Sequence, residues 1–408
     1  MNNLIIKKKT IVDPILELYR GKIYCNIINY FIFIITKHLD KNIFNIKKSF
    51  QRTLTNILSS WLFTLYSIND DKDTDVFIPS NFIETSILEI TLMDFTKYDT
   101  TIENPKEKIK EILEKFTEYY ALQYQNLINY KKSQFYLNEK TNYTIYKKYI
   151  VQERDNKKIG FYKYTINIHF GIKNEKLENI LNNILIPVNV YNKMVSNYTG
   201  NKDIIDILIW SIVFRYQLLG SNNHQLGILP NIIDNMVKDY DAGFECFASS
   251  INFTLNKYCS VYHDLEQYFG SLGNFFNYDI CEGSYTFNPP YQKKIIDDGV
   301  YKILNSLKKA KEQSKNLTFF LTIPVWDKEG QKEIGCENKI DYGDFEIIKV
   351  VKESDFYKKI RIINKEHFTY IDHNFQLYKN KTIQHTYFIV LSTANEDFNK
   401  IDSYNFYE

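Results

Sequence analysis

One stretch decides the predicted fold: Gly283-Ser284-Tyr285-Thr286-Phe287-Asn288-Pro289-Pro290-Tyr291. Its first five residues have the β-branched and aromatic composition of a buried strand. The run that follows carries apolar residues at helical spacing, namely Ile296, Val300, Ile303, Leu304 and Leu307. Residues 288–291 therefore lie where a strand ends and a helix begins. In an open α/β sheet, ligands bind at this carboxyl edge.

Residues 288–291 have the chemistry to act on an aromatic amine. The exocyclic amine of adenine is a poor nucleophile, because its lone pair is delocalised into the ring. Two oxygen acceptors, the Asn288 side chain and the Pro289 carbonyl, would hold its N–H bonds and stabilise the charge that develops during attack on a methyl group. Pro289 and Pro290 fix the loop in an extended shape. The Tyr291 ring offers a stacking surface for the base.

A structural role is the alternative for the same four residues. Asn and Pro are ordinary residues of a turn that ends a strand. The tetrapeptide alone is similar to the motif of amino-methyltransferases that act on DNA adenine or on glutamine. The four residues therefore leave both the role and the acceptor open.

Composition and charge are those of a globular protein with room for two cores. The chain has 408 residues, of which 44% are hydrophobic and 25% charged. A net charge of +2 lacks the basic excess of a non-specific nucleic-acid binder, so an RNA contact has to come from a local patch. The five cysteines (Cys25, Cys246, Cys259, Cys281 and Cys336) form no C-x-x-C pair, and their odd number argues against a disulfide framework. We therefore expect an intracellular protein.

The sequence predicts neither a metal site nor a membrane contact. Cys259 and His263 share a possible helix face, but no second pair of zinc ligands accompanies them. The acidic run at residues 70–75 is interpreted as a solvated turn. The apolar run at residues 27–35 is shorter than the roughly 18 residues of a spanning helix. The remaining histidines considered, His367, His373 and His385, show no catalytic pairing and are interpreted as structural or surface residues.

Residues 1–200 are predicted to form a mainly helical accessory domain that contacts RNA or its cap. Apolar residues recur at three-four spacing through residues 43–68 and again after Pro105. Residues 142–172 differ, because they predict two strands joined by a turn at residues 155–158. Lys alternates with Tyr and Phe in both strands, which suits phosphate and base contacts. A solvated strand face is the simpler interpretation of the same pattern.

Residues 201–408 are predicted to form an α/β domain that binds a nucleotide. A strand over residues 243–247 leads into the small residues Ala248, Ser249 and Ser250, and a helix is predicted over residues 252–259. The N-terminus of such a helix would accept the carboxylate of a methionine-containing methyl donor. Further strands are predicted over residues 317–323, 345–351 and 387–391.

Three segments, in this order and spacing, resemble the catalytic domain of the phosphorylated-CTD-interacting factor family. They are Phe244-Glu245-Cys246-Phe247-Ala248-Ser249-Ser250-Ile251-Asn252, Tyr268-Phe269-Gly270-Ser271-Leu272-Gly273 and the opening stretch 283–291. Residues 225–230 and 320–326 extend the similarity, which covers residues 205–330 well and the N-terminal half in outline. Members of this family are cap-specific adenosine N6-methyltransferases.

The resemblance implies an α/β fold with a Rossmann-like S-adenosylmethionine-dependent methyltransferase domain preceded by a mainly helical accessory domain. Its cofactor would be S-adenosyl-L-methionine, and its partner capped mRNA, methylated on the N6 amine of the cap-adjacent (2′-O-methyl)adenosine. The catalytic residues would be Asn288, Pro289, Pro290 and Tyr291. The donor would be held by Glu245, Phe247, Ala248, Ser249 and Asn252, with contributions from Gly227 and Pro230.

The chain departs from the family pattern at three points. The family usually has Pro where this chain has Ser250, and often Phe where it has Tyr291. The tryptophans Trp61, Trp210 and Trp326 lie far apart, so we expect no WW module, and the sequence gives no evidence for docking on the phosphorylated polymerase tail.

Three other functions are weighed against this one. A DNA adenine N6-methyltransferase would use the same four residues, but it would want an added recognition region and a more basic surface. A glutamine methyltransferase is disfavoured by the other motifs. A non-catalytic RNA-binding relative would have a broken tetrapeptide, whereas residues 288–291 are intact.

Overall fold

The structure is a computed structural model. It describes residues 2–4, 12–38, 47–68, 75–79, 85–86, 88–89, 92–93, 104–133, 143–154, 156–168, 175–182, 184–219, 225–335, 345–373, 377–379 and 385–407. The chain forms two compact units. The first comprises Met1–Ile186 and Gly200–Asn222, and the second comprises Pro187–Thr199 and Asn223–Glu408. The domain boundary predicted at residue 200 stays a prediction, because compactness does not test independent folding.

Long helices dominate the first unit. They are α1 (Pro14–His38), α2 (Lys47–Ile68), α3 (Pro105–Lys132), α4 (Glu175–Leu181) and, after α5 (Val188–Asn197) of the second unit, α6 (Ile205–Leu218). Both α1 and α3 begin with proline, which suits a first turn whose N–H groups have no helical partner. In the core, the Phe116 ring lies 4.9 Å from Phe31 and 5.8 Å from Trp61, measured between ring centroids. The helices predicted in this part of the chain are confirmed.

A buried cluster of charged side chains joins these helices. Glu17 of α1 accepts hydrogen bonds from Arg20 at 2.6 Å and from Arg215 of α6 at 2.7 and 2.8 Å. The Arg20 guanidinium also donates to both carboxylate oxygens of Asp75, at 2.8 to 3.0 Å. None of the four side chains is more than 9% exposed. Buried charges of this kind are tolerated only when each has a partner.

Asp75 corrects the interpretation of the acidic run as a solvated turn. Its Oδ1 also accepts from the backbone N–H groups of Phe77 and Ile78, at 3.0 and 3.1 Å. Burial alone would raise the pKa of this carboxyl, but the Arg20 charge and the backbone donors outweigh it and lower the pKa to about 2. Residues 70–74 lie outside the described residues.

A four-stranded sheet completes the first unit. Its strands are β1 (Asn2–Leu4), β2 (Tyr143–Arg154), β3 (Lys157–Ile168) and β4 (Ile184–Pro187), in that order across the sheet. β2 and β3 pair antiparallel along their whole length, from Tyr143 opposite Ile168 to Arg154 opposite Lys157. The predicted hairpin is confirmed with a tighter turn, in which Asn156 adopts a left-handed φ of 61°.

The second unit alternates strands and helices. After α5 its elements are β5 (Leu226–Ile228), α7 (Pro230–Tyr240), β6 (Ala242–Glu245), α8 (His263–Glu266), β7 (Gly283–Phe287), α9 (Lys293–Glu312), β8 (Leu317–Pro324), α10 (Lys328–Glu333), α11 (Ile347–Lys352), β9 (Tyr357–Ile363), β10 (Tyr370–Asp372), β11 (Leu377–Lys379) and β12 (Thr386–Ser392). This mixture of helices and sheets is compatible with the predicted α/β fold.

The main sheet of this unit has the strand order β6-β7-β8-β12-β9. β6, β7 and β8 are parallel, and β12 runs antiparallel to both β8 and β9. Every residue of β8 is buried, as expected for a strand covered on both faces. A separate three-stranded sheet has the order β11-β10-β5.

The main sheet reverses its direction of growth at β6. Beyond β6, Glu245 bridges Tyr258 in parallel and Tyr258 bridges Ser271, so the chain first builds outward on that side. It then returns to add β7 and β8 on the other side of β6. A reversal of strand order between neighbouring parallel strands opens a crevice at their carboxyl ends. By this rule the crevice is expected between the loops that follow β6 and β7.

Two predicted elements are wrong. Residues 252–259 form no helix, because Tyr258 pairs with the edge of β6 and the Glu245 carboxylate holds the backbone at Thr254 and Leu255. The run at 345–351 is not a strand but leads into α11, whose apolar residues Ile347, Ile348 and Val351 are buried at helical spacing. A short apolar run does not by itself distinguish the two structures.

Helix α9 fixes the position of residues 288–291 through a close approach to β7. A Cβ at Gly299 would lie 2.5 Å from Cζ of Phe287, the last residue of β7. The missing side chain at Gly299 therefore allows α9 to rest on the ring that immediately precedes Asn288.

We expect the charged cluster to make the first unit sensitive to acid. Because folding lowers the pKa of Asp75 from 3.8 to about 2, its stabilisation is complete above pH ~4 and is lost as the pH falls toward 2. The pKa difference corresponds to about 2 kcal/mol. Urea unfolding at several pH values should show Asp75→Asn less stable than wild type at pH 6, with the difference shrinking near pH ~2.

The matched control is Asp298→Asn, since Asp298 forms an exposed ion pair with Lys294 at 2.9 Å. Exposed pairs contribute little, so this variant should unfold like wild type at every pH. Equal stability of Asp75→Asn and wild type at pH 6 would contradict the role of the buried cluster.

Candidate active site

Residues 288–291 form the loop at the carboxyl end of β7, beside the crevice. Pro289 is buried, while Asn288 and Pro290 are half-buried. The Pro290 carbonyl accepts a hydrogen bond from the Gln292 N–H at 2.7 Å. No described residue donates to the Asn288 side-chain oxygen or to the Pro289 carbonyl. The two predicted acceptors therefore remain available to a ligand.

Two aromatic neighbours hold Tyr291. Its ring meets Trp326 edge-on, with centroids 6.3 Å apart and an interplanar angle of 78°. Its hydroxyl shares a hydrogen bond with the hydroxyl of Tyr370 on β10. Burial raises the pKa of Tyr291 to about 12, so the hydroxyl stays protonated. The loop after β7 thus contacts both Trp326, which lies two residues beyond the end of β8, and Tyr370 of the three-stranded sheet.

Ser249 organises the loop after β6. Its hydroxyl donates to the Gln225 side-chain oxygen at 2.6 Å and lies 3.0 Å from the Asn252 side-chain oxygen. The Ser249 N–H donates to the same Asn252 oxygen at 2.7 Å. Gln225 is 2% exposed, and its side-chain nitrogen has no hydrogen-bond partner among the described residues. A buried donor in this state is costly unless a ligand accepts from it.

Two buried carboxylates accept hydrogen bonds from backbone N–H groups in and after this loop. Glu266 accepts from the N–H groups of Ser250 and Tyr262, at 2.7 and 3.1 Å. Glu245 accepts from Thr254 and Leu255, at 2.6 and 2.8 Å. These N–H groups are therefore not free to bind an anion. The prediction that a helix N-terminus holds an anionic ligand here is wrong. Residues 252–259 form no helix, and the carboxylates already occupy N–H groups that such a ligand would need.

A lysine from α5 supplies the positive charge that the loop lacks. The Lys193 ammonium donates to the Phe253 carbonyl at 2.5 Å and lies 4.2 Å from the centroid of the Phe253 ring. Burial lowers the pKa of Lys193 to about 8, although the charge of Glu245 opposes this shift. Burial raises the pKa of Glu245 to about 7, against its backbone donors and Lys193. Perturbed pKa values of this kind are common at functional sites.

Gly227 places β5 against a buried histidine. A Cβ at Gly227 would lie 2.7 Å from Nε2 of His373, so any larger residue would displace the imidazole. The His373 N–H donates to the Gln225 carbonyl at 3.2 Å. Burial lowers the pKa of His373 to about 3, which keeps the ring neutral. His373, interpreted from the sequence as structural or surface, is buried beside two residues of the candidate site.

The other residues predicted to hold the donor are placed differently. Phe247 packs its ring against Phe275 and Phe287, with centroids 5.1 and 5.4 Å away. The Ala248 N–H donates to the Cys259 carbonyl at 2.9 Å, and Pro230 begins α7. The structure therefore joins Ser249, Asn252 and Gln225 directly, whereas Phe247 contributes to the core beneath the loop.

Sequence reasoning missed three residues of this site. Lys193 and Tyr370 come from parts of the chain that no predicted motif includes. His373 is interpreted from the sequence as a structural or surface residue. A lysine within a helix and a tyrosine within a short strand carry no local pattern that distinguishes them from surface residues. Only the pairing of β10 with β5 would have located Tyr370 and His373, and three-residue strands are below what periodicity detects.

The described residues include no cluster of metal ligands and no helix that could span a membrane. Within the ranges that the structure describes, no three His, Cys, Asp or Glu side chains lie close enough to share a metal ion. Across the same residues, every helix is too short or too polar to span a bilayer. Cys259 is buried, and burial raises the pKa of its thiol to about 12, which disfavours a thiolate ligand. Cys336 lies outside the described residues.

Comparison with known proteins gives two similarities. Residues 188–373 match the family model described as "Phosphorylated CTD interacting factor 1 WW domain". Over 124 residues the chain is 31% identical to the mRNA (2′-O-methyladenosine-N(6)-)-methyltransferases of Mus musculus and Homo sapiens. The aligned segment covers 29% of this chain and 17% of each relative. The match therefore spans about a sixth of the length of these relatives.

The match corrects the expectation that the chain lacks a WW module. The matching model is described as a WW domain, and its range of 188–373 includes both Trp210 and Trp326. Tryptophan spacing, on which the expectation rested, is therefore not a sufficient criterion.

We expect Tyr291 and Tyr370 to be energetically coupled. Replacing either by Phe removes their shared hydrogen bond, whose net contribution is about 0.5–1.5 kcal/mol. Because the bond is lost only once, the double variant should be less destabilised than the sum of the two single variants. Urea unfolding of Tyr291→Phe, Tyr370→Phe and the double variant measures this difference.

Tyr301→Phe is the control, since Tyr301 is 52% exposed on α9. Combined with Tyr370→Phe it should show additive effects. Additive effects for Tyr291 and Tyr370 as well would mean that their contact does not hold the loop.

Proposed function

We propose that the second unit is a Rossmann-like methyltransferase domain that uses S-adenosyl-L-methionine, and that it methylates the N6 amine of the cap-adjacent (2′-O-methyl)adenosine of capped mRNA. One observation carries the proposal. The Asn288 side-chain oxygen and the Pro289 carbonyl lie at a strand-order reversal with no donor from the described residues. An aromatic amine has the two N–H bonds that such a pair would accept.

The topology of the main sheet supports the Rossmann-like assignment. Parallel strands β6, β7 and β8 are continued by antiparallel β12, and the order reverses at β6. In doubly wound folds the nucleotide binds across the crevice at this reversal. The loop after β6 would hold the donor on one side, and the loop after β7 would hold the acceptor base on the other.

The residues around Gln225 suit the polar groups of the proposed donor. S-adenosyl-L-methionine carries a carboxylate, an ammonium and two ribose hydroxyls, and when bound it supplies an electrophilic methyl group on sulfur. The unpartnered Gln225 side-chain nitrogen and the Lys193 ammonium would bind its oxygen acceptors. The Glu245 carboxylate would accept from its hydroxyl or ammonium groups. Gly227 keeps the wall beside them free of a side chain.

The acceptor loop would supply the catalytic geometry. Asn288 and Pro289 would accept the two N–H bonds of adenine N6, which draws the nitrogen toward tetrahedral geometry and directs its lone pair at the methyl carbon. The transferred methyl carbon would exchange its bond to sulfur for a bond to N6, and the proton displaced from N6 would leave to water. Pro289 and Pro290 limit the movement of the loop, and Tyr291 would stack on the base.

The substrate class comes from the relatives. Both named relatives are mRNA (2′-O-methyladenosine-N(6)-)-methyltransferases, and the aligned segment is a small part of each. Capped mRNA is therefore proposed as the partner, and the first unit as the part that contacts it. The DNA adenine alternative uses the same acceptor loop, so a substrate comparison has to separate the two.

Asn288→Ala should reduce methyl transfer by about 10²–10³, because it removes one of two acceptors from a developing charge. Binding of S-adenosyl-L-methionine, measured by calorimetry, should be unchanged, since the residues proposed to hold it lie outside residues 288–291. Asn305→Ala, an exposed asparagine of α9, is the control and should keep full activity. A folded Asn288→Ala variant with a wild-type rate would rule out the catalytic assignment.

We expect RNA that begins with a capped adenosine to be the preferred acceptor. The cap would supply binding energy that positions the first base, so the uncapped transcript should react more slowly at equal concentration. Tritium transfer to capped RNA, uncapped RNA and duplex DNA of the same sequence measures the preference. Equal rates on capped and uncapped RNA would count against the cap-specific proposal, and faster transfer to DNA would favour the alternative.

A further inference from the structure

Positive charge is concentrated in the hairpin of β2 and β3. Residues 143–168 contain six Lys or Arg and two Asp or Glu, a net charge of +4. The rest of the chain has 45 basic and 47 acidic residues, a net charge of −2. The hairpin is therefore a local basic patch of the kind that an RNA contact would require in a nearly neutral protein.

Two lysines of the hairpin face each other across its two strands. Lys148 and Lys163 are directly opposite in the antiparallel register. Residues in this position have Cβ atoms about 5 Å apart, and like charges there destabilise the pair. Lys147 differs, because Asp206 holds it at 2.9 Å. No carboxylate of the described residues pairs with Lys148 or Lys163, so an external anion would relieve their repulsion.

Tyr149 forms an exposed aromatic platform on the next position of β2. Its side chain is 57% exposed. The inner side of the ring lies against Gly160, where a Cβ would come within 3.0 Å of the ring atom Cε2. Tyr162, its cross-strand partner, meets it edge-on at 6.2 Å. The Tyr149 ring thus contacts the backbone at Gly160, while more than half of the side chain is accessible to solvent.

The outer half of the hairpin, residues 148–163, has one strand edge that a ligand can approach. β1 pairs only with residues 145–147 of β2, so the edge of β2 beyond Lys147 has no neighbouring strand in the described structure. Lys148 and Tyr149 point to opposite faces of the ribbon because they are consecutive in a strand. A single polynucleotide strand that crosses this edge would bring a base to the Tyr149 ring and a phosphate to the lysine pair.

We propose that the outer half of the β2–β3 hairpin is a binding surface for single-stranded RNA, with Tyr149 as the stacking platform and Lys148 and Lys163 as a phosphate site. This inference rests on the proposed function for the identity of the partner. Base–aromatic stacking accepts any base, and phosphate contacts carry no sequence information. The hairpin would therefore hold the body of a transcript irrespective of its sequence.

The test measures binding of a labelled, uncapped single-stranded RNA by fluorescence anisotropy at several salt concentrations. Tyr149→Ala should weaken binding by roughly five- to 150-fold with an unchanged salt slope, while Tyr149→Phe retains binding. Lys148→Gln/Lys163→Gln should reduce the slope of log affinity against log salt by about 1.4, because each phosphate contact on a single strand contributes about 0.7.

Matched controls come from exposed residues elsewhere. Tyr301→Ala removes an exposed tyrosine of α9, and Lys108→Gln/Lys110→Gln removes two exposed lysines of α3. Both should bind RNA like wild type. Thermal unfolding shows whether each variant is folded, and the Phe variant separates loss of the ring from loss of the hydroxyl. Unchanged RNA affinity and salt slope in the folded hairpin variants would overturn the proposal.

Methyl transfer to capped RNA, measured in parallel, distinguishes the two proposals. Wild-type transfer combined with hairpin variants that bind RNA normally would overturn the hairpin surface and leave the proposed function intact. RNA binding that depends on the hairpin, without any methyl transfer, would overturn the proposed function and leave the hairpin surface intact. Tighter binding of poly-glutamate than of RNA, lost in the double lysine variant, would identify the surface as a site for an acidic protein and overturn the RNA assignment.

Discussion

The parallel pairing of β6 with β7 is the constraint on which the candidate site depends. Because both strands point the same way, the loops that follow them emerge at one edge of the sheet. The Cys246 N–H donates to the Thr286 carbonyl at 2.8 Å, so the pairing continues to the point where the loops begin. Phe247 then packs on Phe287 and fixes the floor between them. A shift in this register would separate the proposed donor and acceptor loops.

Some polar groups of the site form hydrogen bonds within the protein, whereas others have no hydrogen-bond partner among the described residues. Glu245, Glu266 and Ser249 fold the loop after β6 by accepting from its own backbone. The Gln225 side-chain nitrogen has no such partner, and the Asn288 oxygen accepts from no described residue. A protein tolerates few unsatisfied groups of this kind, and they concentrate where a ligand completes the bonding. In the proposed function, Gln225 beside the loop after β6 would bind the methyl donor and Asn288 in the loop after β7 would bind the acceptor amine.

Sequence reasoning predicted what local patterns encode. The continuous apolar run of β8, the long helices and the strand–loop–helix around Asn288 all have periodicity or composition that a window of residues reveals. It failed at residues 252–259, because the Glu245 carboxylate, nine and ten residues before Thr254 and Leu255, and the pairing of Tyr258 with β6 determine the backbone there. It could not find Lys193, since a single half-buried lysine in helix α5 shows no pattern that distinguishes it from a surface lysine. Long-range hydrogen bonds leave no local trace in the chain.

The order in which the chain visits its two units has a consequence for how the protein can be divided. The chain enters the second unit at Pro187, leaves it at Thr199, and returns only at Asn223. A cut at residue 200 would therefore leave α5 with the wrong fragment and take Lys193 from the loop it contacts. The same cut would separate Arg215 of α6 from Glu17, leaving a buried charge without its partner. The two units alternate along the sequence, so neither is one continuous segment of the chain.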